Sequence, residues 1–282
     1  MDKHILEFID PRLTAETAHR CALHVVLGTD GISMMAVEAD REILALQSWM
    51  PARPERSFES SEWDIRRIFR DEALLTLPYG HIHCAVFHRH TTLVPRRLFQ
   101  HGALQGYFKL LLHPADYIYA YDELPALDTY LISAMQPNLS KLCAELFPQT
   151  RIRHQAVPLL NFARDLVDKN EHTVFVHFRN QIAQIVVFER QNLLFYNTFT
   201  FSAASDLLYY VLLAYEQFRL NPKEAPLLVA GNLLEDSDVY RILYRFIREI
   251  RFVHPSKGYR LPPDAQALPD HCHVELFCLT QS

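Results

Sequence analysis

Short apolar runs separated by tight polar turns open the chain. The first run covers residues 21–28 (CALHVVLG), and the Asp30-Gly31 pair separates it from residues 32–38 (ISMMAVE). Asp-Gly suits the positive backbone angles of a β-hairpin turn. A third run, residues 42–49 (EILALQSW), follows another polar turn. The pattern predicts an antiparallel meander of three strands.

Alternating helices and strands are predicted after the meander. Apolar positions recur at helical spacing after Ser61, a good N-cap residue, and again after Pro95, which suits the first turn of a helix. The predicted elements, in order, are a Pro-rich loop (51–60), a helix (62–77), a strand (82–88), a largely helical segment (94–112), two strands (117–121 and 129–135), a helix (137–147), a strand (151–155) and a helix (157–169).

The second half of the chain repeats this plan. Ser202 and the acidic residues within 235–238 mark two predicted helix starts, because hydroxyl groups cap helix N-termini and carboxylates are stabilised there. The predicted elements are three meander strands (173–178, 181–189 and 193–201), a helix (203–219), a buried strand (227–230), a helix (235–250), a short strand (252–253) and a tail strand (274–279). A plan that occurs twice indicates a duplicated domain. We therefore predict two α/β lobes, residues 1–165 and 166–282.

The composition is that of a globular protein, with 49% hydrophobic and 22% charged residues among 282. A formal net charge of −5 gives no general attraction to nucleic acid or to an acidic membrane. We find no apolar run that predicts a signal peptide or a membrane span, so membrane insertion is not expected. Five scattered cysteines, an odd number, favour reduced thiols, and we therefore expect a cytoplasmic protein.

Glycine is scarce, with 7 residues in the whole chain. In average proteins, glycine makes up about 7% of all residues. Phosphate-binding loops need glycine, because their backbone approaches the phosphate closely and adopts positive φ angles. The chain therefore has little material for such loops. The hydrolase, P-loop, zinc-protease and CxxC motifs are also missing from the sequence.

Two hairpins and one strand end carry a family resemblance. The relevant positions are Val26 and Gly28 in the first hairpin, His177 and Arg179 in the second, and Gly231 and Asn232 after the buried strand. With the repeated plan, they resemble the actin, hexokinase and Hsp70 ATPase superfamily, in which two ribonuclease-H-like lobes enclose a nucleotide. Within it, the chain is similar to the pilus-assembly-like branch and to a bacterial domain-of-unknown-function family of about this length. The resemblance covers nearly the whole chain and implies an actin-like ATPase fold.

The resemblance also implies a degenerate nucleotide site. Active members carry an Asp two residues before a Gly in the first hairpin of each lobe, where the carboxylates hold Mg²⁺ waters and orient the attacking water. Val26 and His177 stand at the two Asp positions, and Arg179 stands at the second Gly position. Mg²⁺ requires oxygen ligands, so neither valine nor histidine replaces the carboxylate.

Little else of the family's motifs remains. Gly28 keeps the first hairpin glycine, and Gly231, followed by Asn232, keeps one of the two glycines of the adenosine motif. Asp30 could rescue the first metal site, but an Asp in a hairpin turn more commonly serves turn geometry. Arg179 could bind an anion. We therefore predict no catalytic residue, no metal and no cofactor.

The predicted function is that of a non-catalytic binding or scaffolding module. The resemblance to the pilus-assembly-like branch implies that a protein partner, which the sequence does not identify, docks on a lobe, and self-association into a homo-oligomer stays open. One alternative is a nucleotide-binding ATPase or kinase that uses Asp30. The other is an RNA- or ribosome-associated factor that uses a helix face with Arg241, Arg245 and Arg248, although a solvated helix face explains the same arginines.

Histidine-rich segments are the last candidates. They comprise His81, His83, Cys84, His88 and His90 in the first half, and His271, Cys272 and His273 in the tail. On a strand, His81 and His83 share one face and Cys84 lies on the other, so no single face collects a full set of zinc ligands. We expect ordinary surface or half-buried histidines, while convergence of the two segments on a metal is the alternative.

Overall fold

The computed structural model describes residues 3–28, 30–50, 58–110, 117–169, 171–262 and 269–280. Internal contacts divide the chain into two compact units. Unit 1 comprises Met1–Val157, Ser256–Leu268 and Leu279–Ser282, and unit 2 comprises Pro158–Pro255 and Pro269–Cys278. The division into lobes between residues 165 and 166 stays a prediction.

A six-stranded sheet forms the centre of unit 1. Its strands are β1 (Lys3–Ile9), β2 (Cys21–Gly28), β3 (Gly31–Glu38), β4 (Ile43–Met50), β5 (His81–Phe87) and β9 (Arg153–His154), in the order β1-β4-β3-β2-β5-β9. The strands β2, β3 and β4 form the predicted antiparallel meander. The strands β5 and β9 extend the sheet in parallel beside β2.

Two helices, α1 (Phe58–Asp71) and α2 (Pro137–Leu146), contribute to the core on one face of this sheet. Alternate residues of β2, such as Leu23 and Val25, pack there with Ile65 of α1 and Leu142 of α2. A three-stranded antiparallel sheet is inserted between β5 and α2. It consists of β6 (Thr91–Pro95), β7 (Ile118–Leu124) and β8 (Thr129–Met135), in the order β6-β8-β7. Helix α3 (Ala156–Leu166) follows β9.

Unit 2 contains a five-stranded sheet with the order β12-β11-β10-β13-β14. Its strands are β10 (His172–Arg179), β11 (Ile182–Glu189), β12 (Asn192–Thr200), β13 (Leu227–Gly231) and β14 (Ile250–Phe252). The helices of this half are α4 (Ala204–Gln217), α5 (Asp238–Tyr244) and α6 (Val274–Leu279). Leu207 of α4 and Leu243 of α5 pack on Val174 and Val176 of β10.

The two sheets share one connection pattern. In each, a meander is followed by a helix, and the next sheet strand runs parallel to the first meander strand and beside it. A further parallel strand completes each pattern. The order β4-β3-β2-β5-β9 in unit 1 thus corresponds to β12-β11-β10-β13-β14 in unit 2. The predicted fold class, a repeated α/β meander with alternating helices and strands, is confirmed.

The segment 94–112 is not helical, contrary to the prediction. Its first two residues end β6 and pair with β8. Three short 3-10 turns follow, at Arg96–Leu98, His101–Ala103 and Gln105–Phe108. Gly102 and Gly106 lower the helix propensity of this stretch, and the pairing of β6 with β8 fixes its start. Residues 111 and 112 lie outside the described part of the chain.

The tail segment 274–279 forms helix α6, whereas a strand was predicted. A short apolar run does not distinguish a buried strand from a buried helix by periodicity alone. Every residue of α6 is buried. Apart from Glu275, which pairs with Arg179, its residues are therefore apolar without a helical period.

Helix α1 starts earlier than predicted. It begins at Phe58, so Ser61 lies within the helix and is not its N-cap. The predicted loop 51–60 lies outside the described residues as far as residue 57, and its last three residues belong to α1.

Helices α4 and α5 also differ from the prediction. The N-cap of α4 is Ala203, not Ser202, and the carboxylate of Asp206 accepts hydrogen bonds from the backbone N–H groups of Ser202 and Ala203 at 3.1 and 3.0 Å. Helix α5 ends at Tyr244 and not near residue 250.

Candidate functional site

The first hairpin of unit 1 places an apolar residue where the resemblance implies a carboxylate. Val26 lies in the middle of the sheet, between Ser33 of β3 and Ala85 of β5, and its side chain is fully buried. Gly28 pairs with Gly31 at the end of the hairpin. Val26 offers no oxygen atom, so this position cannot hold Mg²⁺ or orient a water molecule.

Asp30 occupies the turn of this hairpin and is buried, with 7% of its surface exposed. The next residue, Gly31, has a φ angle of +148°, a region that favours glycine. A turn aspartate beside a φ-positive glycine is a common hairpin arrangement. The position of Asp30 therefore agrees with a role in turn geometry.

The second hairpin, in unit 2, uses its histidine in a buried hydrogen-bond network. His177 is 1% exposed, and its Nδ1 atom lies 2.8 Å from Oε1 of Gln184 on the neighbouring strand β11. An amide oxygen only accepts, so Nδ1 donates the hydrogen. The Nε2 group of Gln184 donates in turn to the hydroxyl of Tyr196 at 2.9 Å. At the position that the resemblance assigns to a carboxylate, the chain thus has an imidazole ring that is hydrogen-bonded to a neighbouring strand.

Arg179, the last residue of β10, pairs with a carboxylate of the same unit. Its Nη1 group donates to Oε2 of Glu275 on α6. The two side chains are 5% and 7% exposed. A guanidinium group held by a buried carboxylate is already neutralised inside the protein. The resemblance places a phosphate-contacting glycine at this position, and the structure places a buried ion pair there.

Gly231 allows two parallel strands to approach each other closely. Its φ angle is +87°, and a Cβ atom on this residue would lie 1.9 Å from the carbonyl oxygen of Phe178 on β10. The N–H group of Asn232 donates to that same oxygen at 2.9 Å. The close backbone contact within unit 2 therefore explains why position 231 is a glycine, without involving a nucleotide.

Sequence comparison gives the family. A family profile described as a protein of unknown function (DUF3822) matches residues 10–250. The chain belongs to this family. The search of curated proteins gives no match for this DUF3822 chain.

Two solved structures are similar to the DUF3822 chain. One is a protein from Bacteroides thetaiotaomicron with an actin-like ATPase fold and unknown function; it is 19% identical, with a TM-score of 0.74 over 88% of this chain and 95% of that one. The other is a chain of the PilM–PilN type IV pilus biogenesis complex, 12% identical, with a TM-score of 0.62 over 92% of this chain and 96% of that one. The DUF3822 chain therefore has the actin-like ATPase fold, as the resemblance implied. Among its described residues, none of the helices combines the length and the hydropathy needed to cross a membrane.

The predicted arginine face of the DUF3822 chain is only partly on a helix. Arg241 lies in α5 and pairs with Asp238 at 3.0 Å, both side chains being exposed. Arg245 is the C-cap of α5. Arg248 lies beyond the helix, and its backbone N–H group donates to the carbonyl oxygen of Pro222. Helical spacing therefore does not place the three arginines on one face.

The histidines of β5 have partners on neighbouring strands that the sequence analysis missed. The rings of His24 on β2 and His83 on β5 are stacked, with centroids 4.8 Å apart and planes 6° from parallel. Burial lowers the pKa of His24 to about 3, with His83 as a second cause. The buried ring of His88, the residue after β5, packs edge-on against His154, the last residue of β9. Only the sheet register reveals these pairs, because their members are far apart in sequence.

The tail histidines belong to the other unit. His271 is buried, and its Nε2 atom lies 2.8 Å from the carbonyl oxygen of Leu233. Its ring packs on Phe252 with a centroid distance of 4.5 Å. His273 and Cys272 are buried as well. These contacts explain the tail histidines as parts of the core of unit 2.

Proposed function

We propose that this DUF3822 chain is a non-catalytic member of the actin-like ATPase fold and acts as a binding or scaffolding module. The observation that carries the proposal is the ion pair between Arg179 and Glu275. A long, charged side chain with a buried carboxylate partner takes the position of a glycine whose backbone would contact phosphate. The pair makes the second hairpin a packed structural element.

The chemistry of the two carboxylate positions supports the same proposal. Phosphoryl transfer depends on positioned metal ions and on groups that stabilise the developing charge. Val26 has no ligand atom, and His177 uses Nδ1 for its bond to Gln184. Neither hairpin offers a carboxylate at the position where the resemblance places one. We therefore infer a degenerate nucleotide site that involves no catalytic residue, metal ion or nucleotide cofactor.

The kind of partner is inferred from the solved relatives. One of them is a chain of a two-protein pilus biogenesis complex, which supports a protein as the partner of this module. Self-association of the chain is compatible with this role. The net charge of −5 argues against nucleic acid as the main partner. Five buried cysteines without disulfide bonds support a cytoplasmic location.

The main rival is a nucleotide-binding ATPase or kinase that relies on Asp30. Asp30 is a carboxylate of unit 1 in the hairpin turn itself. A thermal-shift titration with Mg-ATP, Mg-ADP and Mg²⁺ alone, on the wild type and on Asp30→Ala, separates the two proposals. A ligand at about 100 times its Kd stabilises the folded state by about 2.7 kcal/mol, which raises the Tm by several degrees.

The non-catalytic proposal predicts no Mg-dependent shift at millimolar nucleotide in either protein, and no phosphate release above the blank. A shift of several degrees that Asp30→Ala abolishes would overturn it in favour of the rival. ATP turnover at about 1–100 per second, the usual range of kinases, would also overturn the non-catalytic proposal.

The RNA alternative has its own test. Salt-sensitive RNA binding that weakens in a triple Ala variant of Arg241, Arg245 and Arg248 would favour that alternative.

A further inference from the structure

Three histidines share one face of the unit 1 sheet, well away from the hairpin turn. His24 on β2 lies directly beside His83 on β5, and His81 lies two residues before His83, beside Ala22. Residues two apart on a strand point to the same face. His24, the member of the cluster nearest to the hairpin turn, lies four residues before Gly28, which is about 13 Å along the strand at 3.3 Å per residue. The cluster therefore lies away from the hairpin turn, with Val26 between them on the same face of β2.

The three imidazoles line one cavity of about 400 Å³. Its floor includes Ala22 and Val37, and its rim carries Glu38, Arg20 and Arg41. The alternate residues of the same strands, such as Leu23 and Cys84, belong to the core on the opposite face of the sheet. The sheet thus separates a packed apolar face from an imidazole-lined one.

His24 is the unusual member of the cluster. It is 3% exposed, yet its buried Nδ1 atom has no hydrogen-bond partner among the residues that the structure describes. Its ring stacks on that of His83. Burying an imidazole nitrogen without a hydrogen-bond partner costs free energy. His24 also lines the cavity, and a buried polar group without a partner calls for an explanation such as a bound ion.

We propose that His24, His81 and His83 form a binding site for a first-row divalent transition metal ion such as Zn²⁺. Two histidines in an H-x-H spacing, with a third beside them on the adjacent strand, can direct three nitrogen atoms to one point above the sheet. Three histidines with one remaining position form a known zinc ligand set. Water or the carboxylate of Glu38 at the rim would supply the fourth ligand.

The charge around the cavity determines which cations fit. The two positive charges of Arg20 and Arg41 outweigh the single negative charge of Glu38, so the cavity does not attract cations in general. Affinity must then come from the imidazole nitrogens. Imidazole suits Zn²⁺, Ni²⁺ and Cu²⁺, whereas Mg²⁺ and Ca²⁺ require oxygen ligands. The site therefore selects transition metals over the hard cations.

Metal binding requires a small rearrangement. Zinc–nitrogen bonds are about 2.0–2.1 Å long, so two rings that share an ion converge at their nitrogen atoms instead of stacking in parallel. His81 is exposed and His83 is half-buried, so both have room to rotate towards the fixed ring of His24. Loading with metal should thus separate the stacked rings and leave the backbone register unchanged.

The test uses the full-length chain after removal of metals with a chelator. Zn²⁺ is titrated by calorimetry against the wild type, His81→Ala, His83→Ala and the control His172→Ala, which removes an exposed histidine of unit 2. We expect one Zn²⁺ per chain and a loss of affinity of at least about 10- to 100-fold in the two cavity variants, because removing a direct ligand costs at least as much as removing an outer-shell partner. The control should bind like the wild type. Mg²⁺ and Ca²⁺ should give no signal.

A second readout does not depend on the affinity. Co²⁺ in place of Zn²⁺ should give the visible absorption bands of a four- or five-coordinate site in the wild type and in His172→Ala, and lose them in His83→Ala. Equal Zn²⁺ affinity in all four proteins, or binding no stronger than that of exposed surface histidines, would overturn the proposal. Circular dichroism of each variant confirms that it is folded before the comparison is made.

Discussion

Glu275 on α6 is the carboxylate that holds Arg179 at the end of β10, and both side chains are almost wholly buried. The two residues are distant in sequence and come together because the tail forms a helix. Removing one partner breaks a buried ion pair and leaves one of its charges in the core, whereas removing both takes the two charges out together. The pair therefore lends itself to a direct energetic test.

We expect Glu275→Gln to lower the free energy of unfolding by about 3–5 kcal/mol, the usual cost of breaking a buried ion pair. Arg179→Met should cost a similar amount. The double variant Arg179→Met with Glu275→Leu should be clearly more stable than the sum of the single effects predicts. Urea unfolding, monitored by circular dichroism, measures the free energy of unfolding of all three variants. If the effects of the single variants simply add up in the double variant, the buried pair is contradicted.

Gly231→Ala should destabilise unit 2 by about 2–4 kcal/mol. A positive φ angle costs a residue with a Cβ about 1–2 kcal/mol, and a Cβ 1.9 Å from the carbonyl oxygen of Phe178 adds a clash with the backbone. Gly102→Ala is the matched control, because a Cβ there meets no atom within 4 Å. Its effect should stay within about 0.5 kcal/mol. Equal Tm values for the two variants would show that β13 does not approach β10 as described.

The start of α4 depends on Asp206 and not on Ser202. Asp206→Ala removes the acceptor of two backbone N–H groups, at 3.1 and 3.0 Å. We expect a loss of about 1 kcal/mol, typical of a helix cap. Ser202→Ala, which keeps those bonds, should be nearly neutral in the same denaturation experiment. The opposite ranking would restore Ser202 as the cap.

Acid should destabilise the fold through its buried histidines. Burial lowers the pKa of His154 to about 4 and that of His273 to about 4. In the unfolded chain histidine titrates near 6.5. As the pH falls below about 6.5, the unfolded state takes up protons that the folded state does not, so the free energy of unfolding decreases until about pH 4.

The measurement is the slope of the unfolding free energy against pH between about 4 and 6.5. His154→Gln should make this slope shallower, because one buried titrating group is gone. His172→Ala, at an exposed position, should leave it nearly unchanged. A wild-type stability that is flat across this range would contradict neutral, buried histidines.

Local patterns were sufficient to predict the repeated architecture. The meander of unit 1 follows from apolar runs bounded by Asp30-Gly31, and that of unit 2 follows from runs of the same kind. The segment around Pro95 was predicted wrongly because its first two residues end a strand that pairs with β8, a non-local contact, and short 3-10 turns follow. The tail was predicted wrongly because full burial removes the helical period from the sequence.

Some residues of the candidate sites could be predicted from the sequence, and others could not. Val26, His177 and Arg179 could be selected because a resemblance points to their positions. Glu275 could not, since its partnership with Arg179 depends on a helix that the sequence pattern did not reveal. His24 was missed for a related reason: only the pairing of β2 with β5 brings it beside His83.

Residues Ser256–Leu268 belong to unit 1 although they follow most of unit 2 in the sequence, and this order affects the synthesis of the protein. Arg260 pairs with Asp40 and Glu42, and its backbone exchanges hydrogen bonds with Arg41 and Ile43. Unit 1 is therefore unfinished when its first segment leaves the ribosome. At about 5–20 residues per second, the ribosome needs roughly 5–20 seconds to make the intervening unit. During that interval the backbone groups of Arg41 and Ile43, at the start of β4, stay open to chaperones or to any other chain that can pair with them.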